Sequence, residues 1–174
     1  MANCTSFENS RGFPLQRFKS STLRMKIINQ TSAGGIVYKP TTNHQSLATH
    51  LWLICQHSQH KGWVFPKGLV GDHTPNEKME EAALREVEEE GGVKAKIVNP
   101  TPIKTFYQYQ FQGNLIKKTV YYFLMEYISG DPKNHDWEMS EAKFADEETV
   151  KKTLTYQSDK QAFQEILKII KNGR

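Results

Sequence analysis

Cysteine is scarce in this chain: Cys4 and Cys55 are the only two among 174 residues. Two thiols cannot build a disulfide framework, which excludes the stapled secreted scaffolds and points to a reducing, intracellular compartment. Cys55 closes the apolar run Leu51-Trp52-Leu53-Ile54 and reads as a buried thiol. Long hydrophobic runs are missing as well. The longest, such as Val120–Met125, are strand-sized and far short of a bilayer span, so a soluble protein without a membrane partner is expected. Charge of one sign is nearly balanced, with a net +4 and a sequence pI near 9.0. That mild excess suits a polyanionic ligand, but no basic run interleaved with aromatics marks a nucleic-acid groove. Internal repeats and a dividing linker are also lacking. What is present is enough for a core: 37% hydrophobic residues, with three Trp, seven Tyr and nine Phe.

Residues 1–24 differ from the rest. They hold Arg11, Arg17, Lys19 and Arg24 against a single acid, Glu8, with Pro14 interrupting the middle. Such a segment reads as a transit peptide, as an unstructured extension, or as the product of a start upstream of Met25. We treat 1–25 as a basic, flexible N-terminal extension and 26–174 as one domain. The location expected is the cytoplasm, or an organelle matrix if the extension is a leader.

Within the domain, Ser32-Ala-Gly-Gly-Ile-Val-Tyr38 reads as a strand and Leu51–Cys55 as a second, joined by a polar connection over Pro40–Thr49. Trp63-Val-Phe-Pro-Lys-Gly68 leads into a polar loop reaching Asn76. Met79, Ala83 and Val87 recur at helical spacing, predicting a helix over Glu77–Glu90 that Gly91-Gly92 ends. Strands are expected at Lys94–Asn99, Ile103–Phe111 and Lys118–Tyr127, the last two joined at Gln112-Gly113-Asn114. A short strand Ala142–Ala145, a short helix near Glu147–Leu154 and a final helix opened by the capping box Ser158-Asp-Lys-Gln161 complete the reading. The fold class is mixed α/β.

The chemistry concentrates in Gly71–Val93. Glu86, Glu89 and Glu90 stand at helical spacings of three and four, so their carboxylates share one face and repel, with Glu88 close by. They also lie toward the helix C-terminus, where the macrodipole disfavours anions. Arg85 neutralises part of this charge, and a divalent cation would neutralise the rest. Carboxylate oxygens without His or Cys at ligand spacing favour a hard ion such as Mg²⁺ over Zn²⁺. His57 and His60 lack such partners nearby and read as plain loop residues.

This segment matches the Nudix box: a glycine, a glutamate six positions on, then Arg-Glu-apolar-x-Glu-Glu-x-Gly-apolar. At average residue frequencies a chance match is on the order of 10⁻⁹ per starting point. Ser32-Ala-Gly-Gly-Ile-Val and Trp63-Val-Phe-Pro-Lys-Gly68 resemble the family's first strand and the lead-in to its box. The resemblance spans most of Lys26–Leu167 and implies an α/β/α sandwich around a mixed sheet. One departure is that Gly68 lies nine positions before Glu77, so Gly71 meets the box spacing and the loop carries about three extra residues, Asp72–Thr74. The carbonyl facing the metal is assigned to Gly68 or Lys67 rather than Gly71.

The resemblance implies Mg²⁺, with Mn²⁺ as substitute, held by Glu86, Glu89 and Glu90, and a water attacking a pyrophosphate bond. Arg85 would orient these carboxylates with help from Glu77. The general base would be a box glutamate or a later acid, Glu138 or Glu141. Lys67 would meet a phosphate, and Lys117 or Lys118 would reach the same chain. Tyr107 and Tyr109 alternate with glutamines, share a sheet face, and could stack an adenine. The strand Lys117-Lys-Thr-Val-Tyr-Tyr-Phe-Leu-Met125, the Trp137-Glu138 turn and the segment Leu154–Phe163 are similar to bacterial diadenosine tetraphosphate hydrolases. Those enzymes split a dinucleoside polyphosphate, commonly into ATP and AMP. The alternatives are an RNA 5′-pyrophosphohydrolase, an ADP-ribose-type hydrolase, and a nucleotide-binding module without activity.

Overall fold

A computed structural model describes residues 25–41 and 49–172. The N-terminal extension, Cys4 and residues 42–48 of the first connection lie outside the described residues. Strand β1 (Ile27–Thr41) organises the sheet, pairing antiparallel with β2 (Thr49–His57) and with a short β4 (Lys67–Leu69). On its other side it runs parallel to β6 (Asn114–Gly130), which is antiparallel to β5 (Val93–Phe111). Strand β3 (Trp63–Val64) and strand β7 (Met139–Ala145) both pair with β2, giving seven described strands in a mixed sheet. Three described helices, α1 (Met79–Gly91), α2 (Glu147–Thr153) and α3 (Gln157–Asn172), cover it.

Side chains alternate along a strand, so β1, β2, β5, β6 and β7 each feed two cores. Ala33, Val37, Leu53, Cys55, Phe123 and Met125 pack beneath Ala82, Ala83 and Val87 of α1. Ile36, Trp52, Ile54, Val120, Tyr122 and Leu124 face the opposite way, toward Val150, Phe163, Ile166 and Leu167 of α2 and α3. The result is the expected α/β/α sandwich. Trp52 and Phe163 meet edge to face with centroids 5.0 Å apart. Burying each such side chain stabilises the fold by roughly 1.5–3 kcal/mol. None of the described helices is long and apolar enough to cross a membrane.

Strands β1, β6 and β7 begin earlier than the sequence reading expects, at Ile27, Asn114 and Met139, and three further differences have a local cause. The two strands expected at 94–99 and 103–111 form one strand, β5, whose register against β6 shifts at Ile97/Asn99 and Asn99/Ile103. Pro100 and Pro102 lack an N–H, and the edge position of β5 lets irregularities absorb them. Helix α1 starts at Met79 instead of Glu77, because Asn76 has φ 67° and the Glu77 amide closes a turn on the Thr74 carbonyl at 3.1 Å. At the far end of α1, Gly92 takes the left-handed conformation (φ 68°) and its amide donates to the Glu88 carbonyl. Helix α3 starts at Gln157, which places Ser158 and Asp159 inside its first turn instead of at a cap.

Candidate active site

Arg85 is the hub of the α1 face. Its Nε donates to Glu77 Oε1 at 2.9 Å and its Nη2 to Glu77 Oε2 at 3.2 Å, a two-pronged grip on one carboxylate. Its Nη1 donates to Glu86 Oε1 at 2.6 Å and to Glu89 Oε2 at 2.9 Å. Nη2 also reaches the Leu69 carbonyl and Asp72 Oδ1, at 3.2 and 3.1 Å. Surrounded by acids, with Glu77 the largest contributor, Arg85 has its pKa driven further upward. Reciprocally, the hydrogen bond from Arg85, aided by the Gly71 amide at 3.0 Å, holds the Glu77 carboxyl below its usual range. Gly71 therefore serves Glu77, which keeps the box glycine away from the central carboxylates.

Glu86 and Glu90 are each only 6% exposed. Burial pushes Glu86 up to about 7, and Arg85 opposes that while Glu89 and Asp72 add to it. Burial likewise pushes Glu90 up to about 8, against the Lys67 charge and the Lys67 amide, which donates to Glu90 Oε2 at 2.7 Å. Two carboxylates held this far out of water at close range are electrostatically incomplete. Gly68 lets strand β4 lie directly on the Glu86 carboxylate, since a Cβ at Gly68 would overlap all three carboxylate atoms. The donor set is entirely oxygen, which fits a hard divalent cation. Among the described residues no three Asp, Glu, His or Cys side chains meet around a common centre. The reason is visible in the hydrogen bonds: Arg85 gathers Glu86 and Glu89, while Glu90 turns to the Lys67 amide.

The opposite face of β4 carries Lys67. Burial works against its charge, but Asp159, Glu90, Tyr107 and Cys55 outweigh that and raise its pKa. Register decides between the neighbouring lysines. Lys118 pairs with Tyr107 and with Gln30, so it shares the face of Lys67 and Tyr107, whereas Lys117 pairs with Gln108 on the other. Burial and the Lys67 charge lower the Lys118 pKa, while Glu90, Glu86 and Asp72 pull it back up. Of the two lysines, Lys118 is thus the one that shares the Lys67 face and feels the charges of Glu90 and Glu86. Tyr107 and Tyr109 do share a face, their rings stacked at 6.1 Å and 27°, with Tyr107 tucked against the core and Tyr109 exposed.

Among the loop acids, Glu138 and Glu141 are both exposed, and Glu141 accepts from Lys143 Nζ at 2.8 Å. The acid nearest the box in effect is Asp136, whose amide donates to the Glu89 carbonyl at 2.8 Å and whose charge raises Glu90. Sequence reasoning missed Asp136, Asp72 and Asp159, because each reaches the site only through a turn or a helix that tertiary packing brings in. The lone acid of the loop extension, Asp72, was the one with a readable signal. His57 and His60 stack at 4.0 Å, and their Nδ1 atoms accept from the Gln59 and Gly62 amides of the turn. The Cys55 thiol is fully buried and donates to the Glu90 carbonyl at 3.4 Å.

Comparison with known proteins places the fold in a family. A family model described as the NUDIX domain matches residues 29–166. A Mycobacterium tuberculosis protein bearing the name mutator protein MutT4 is 24% identical over 145 residues, covering 82% of this chain and 56% of its own length. A Bacillus subtilis protein bearing the name 8-oxo-dGTP diphosphatase YtkD is 36% identical over 83 residues, covering 42% of this chain and 48% of its own length. The chain spans about half the length of these curated relatives. Among solved structures, the Caenorhabditis elegans Ap4A hydrolase in a binary complex superposes with a TM-score of 0.63 at 21% identity, covering 82% of this chain and 98% of that one. The NUDIX domain of Shewanella oneidensis NrtR complexed with ADP ribose gives 0.56 at 17% identity, covering 82% and 88%. At these identities both structures share the fold.

Proposed function

The chain belongs to the Nudix family, and from that premise we propose that it hydrolyses a pyrophosphate bond of diadenosine tetraphosphate to ATP and AMP, with Mg²⁺ or Mn²⁺. The observation that carries the substrate reading is the placement of Lys67 and Lys118 on one sheet face, beside Tyr107 and within electrostatic reach of Glu86 and Glu90. Two ammonium groups engaged together favour a long phosphate chain over a short one. The tyrosine pair beside them offers a surface for one adenine. Similarity to the C. elegans Ap4A hydrolase fold is consistent with the reading.

Glu86, Glu89 and Glu90, with the Gly68 carbonyl, would hold the divalent cation. When bound, it supplies charge neutralisation at phosphate oxygens and lowers the pKa of water. Arg85, fixed by Glu77, holds Glu86 and Glu89 and would orient them for it. A box glutamate takes the proton of the attacking water; Glu138 and Asp136 are the loop alternatives. Water oxygen bonds to phosphorus, the bridging P–O bond breaks, and the leaving phosphate keeps that electron pair. Lys67 and Lys118 balance the charge on the separating phosphates.

The test is a product assay over diadenosine tetraphosphate, ADP-ribose, 8-oxo-dGTP and 5′-triphosphorylated RNA, resolved by ion exchange. Equal amounts of ATP and AMP, at the highest kcat/KM of the panel, are expected. A tenfold preference for another member overturns the substrate, and absence of Mg²⁺-dependent turnover on all of them overturns the enzyme reading.

A further inference from the structure

Asp159 lies outside the box, yet it is among the most buried charged groups of the fold, at 1% exposure. It enters from the first turn of α3 and reaches the sheet, where Tyr122 donates its hydroxyl to Asp159 Oδ1 at 2.8 Å. The neighbouring Ser158 hydroxyl also favours the charged form, but the second carboxylate oxygen, Oδ2, has no hydrogen-bond partner. A carboxylate withdrawn from water with half its acceptor capacity empty is costly unless a positive charge stands nearby.

The strand register supplies that charge. Lys67 of β4 pairs with Gly34 of β1, and Gly34 pairs with Tyr122 of β6, so the three lie on one rung and one face. Gly34 has no side chain to separate the other two, and a Cβ there would collide with Lys67 itself. The lysine therefore shares the sheet face on which the Tyr122 hydroxyl carries Asp159. Electrostatics agree: Lys67 is the strongest influence opposing the effect of burial on Asp159, and Asp159 acts on Lys67 ahead of Glu90.

We propose that Asp159 is a positioning residue: its buried carboxylate holds the Lys67 ammonium on the α3 face of the sheet, clear of Glu90, where it meets the polyphosphate. This rests on the reading of Lys67 as a phosphate contact. Lys67 is influenced by two buried acids: Glu90, which accepts from its amide, and Asp159, which is held by Tyr122 across Gly34. Without Asp159 the strongest anionic influence left on the ammonium is Glu90, and the lysine would compete with the divalent cation for that carboxylate. Because Oδ2 makes no hydrogen bond, the ammonium is held by charge without being locked, and its three donors stay available to phosphate oxygens.

The experiment is a double-mutant cycle in the full chain, with Mg²⁺ and whichever nucleotide ranks first in the product assay. Asp159→Asn keeps an acceptor for Tyr122 and removes the charge. We expect it to raise KM about tenfold, the order associated with loss of a charge-assisted contact. The Mg²⁺ concentration for half-maximal rate should rise with it, while kcat at saturation changes far less. In the Lys67→Met background, Asp159→Asn should change neither quantity further. Equal effects in both backgrounds overturn the positioning role and leave the phosphate reading standing. If Lys67→Met alone leaves KM unchanged, the phosphate reading fails and the positioning role falls with it. Melting curves guard against misfolding. If Asp159→Asn unfolds but the double variant folds, the unpaired lysine is the cause and the pairing is supported. If both unfold, Asp159 is needed by the fold independently of Lys67 and the proposal is overturned.

Discussion

Replacing Arg85 by Met keeps the aliphatic stem and deletes the hub. The guanidinium side chain is 19% exposed, against 6% for Glu77 and 8% for Glu86, so two of its four acidic contacts are out of water. Asp72 and Glu89 are both 37% exposed, and pairs of that kind contribute little. The two buried contacts dominate, and breaking a buried pair from one side costs about 3–5 kcal/mol. For a domain of this size, that corresponds to a fall in Tm of about 10 °C. Arg85→Lys should recover part of the loss, because one ammonium cannot reproduce a two-pronged grip on Glu77 while also reaching Glu86. The effect should depend on pH. Arg85 lowers the folded pKa of Glu77, so its stabilisation is present above the unfolded carboxylate pKa and is lost as pH falls through the folded value. Urea unfolding of wild type and Arg85→Met in EDTA, at pH 7 and again below pH 4, tests the chain of reasoning. A difference below about 1 kcal/mol at pH 7, or one that fails to shrink in acid, would refute it.

Glu90→Gln should abolish Mg²⁺-dependent turnover by several orders of magnitude while leaving the metal-free protein at least as stable as wild type. Burial raises the folded pKa of Glu90 to about 8, so ionised Glu90 destabilises the empty protein, and wild type in EDTA should gain stability as pH falls through that value. Melting curves from pH 9 to pH 6 should show that gain in wild type and a flatter profile in Glu90→Gln; parallel profiles would count against it. Gly68→Ala places a methyl on the Glu86 carboxylate, and either that carboxylate or strand β4 must move. Turnover should drop by about tenfold or more, as expected when a catalytic group is displaced by an ångström, while circular dichroism keeps its shape. Wild-type kcat/KM in that variant would show that Glu86 does not need its place against β4.

Much of the molecule was legible from local pattern. Of the recurring Met79, Ala83 and Val87, the last two lie on the buried face of α1 while Met79, at the helix start, is exposed; the Glu86, Glu89 and Glu90 spacing follows from helix geometry alone. The glycine pair at its end and the buried Cys55 run are local as well. What local pattern could not decide depends on how strands are paired. Lys117 and Lys118 are adjacent and chemically identical; only the register of β6 against β1 and β5 sends Lys118 to the face of Lys67. Gly68 and Gly71 both fit a glycine-before-glutamate motif, and only packing shows one lying on Glu86 and the other donating to Glu77. The capping box read at Ser158 treated Asp159 as a polar residue of a helix start; the turn of α3 over the sheet instead buries it against Tyr122, far away in sequence. Side-chain periodicity is set by the backbone within one element, so the sequence by itself determined most of the elements and the placing of Glu86, Glu89 and Glu90 on α1. Which groups share a buried space is set by contacts between elements, and that was decided by the tertiary structure alone.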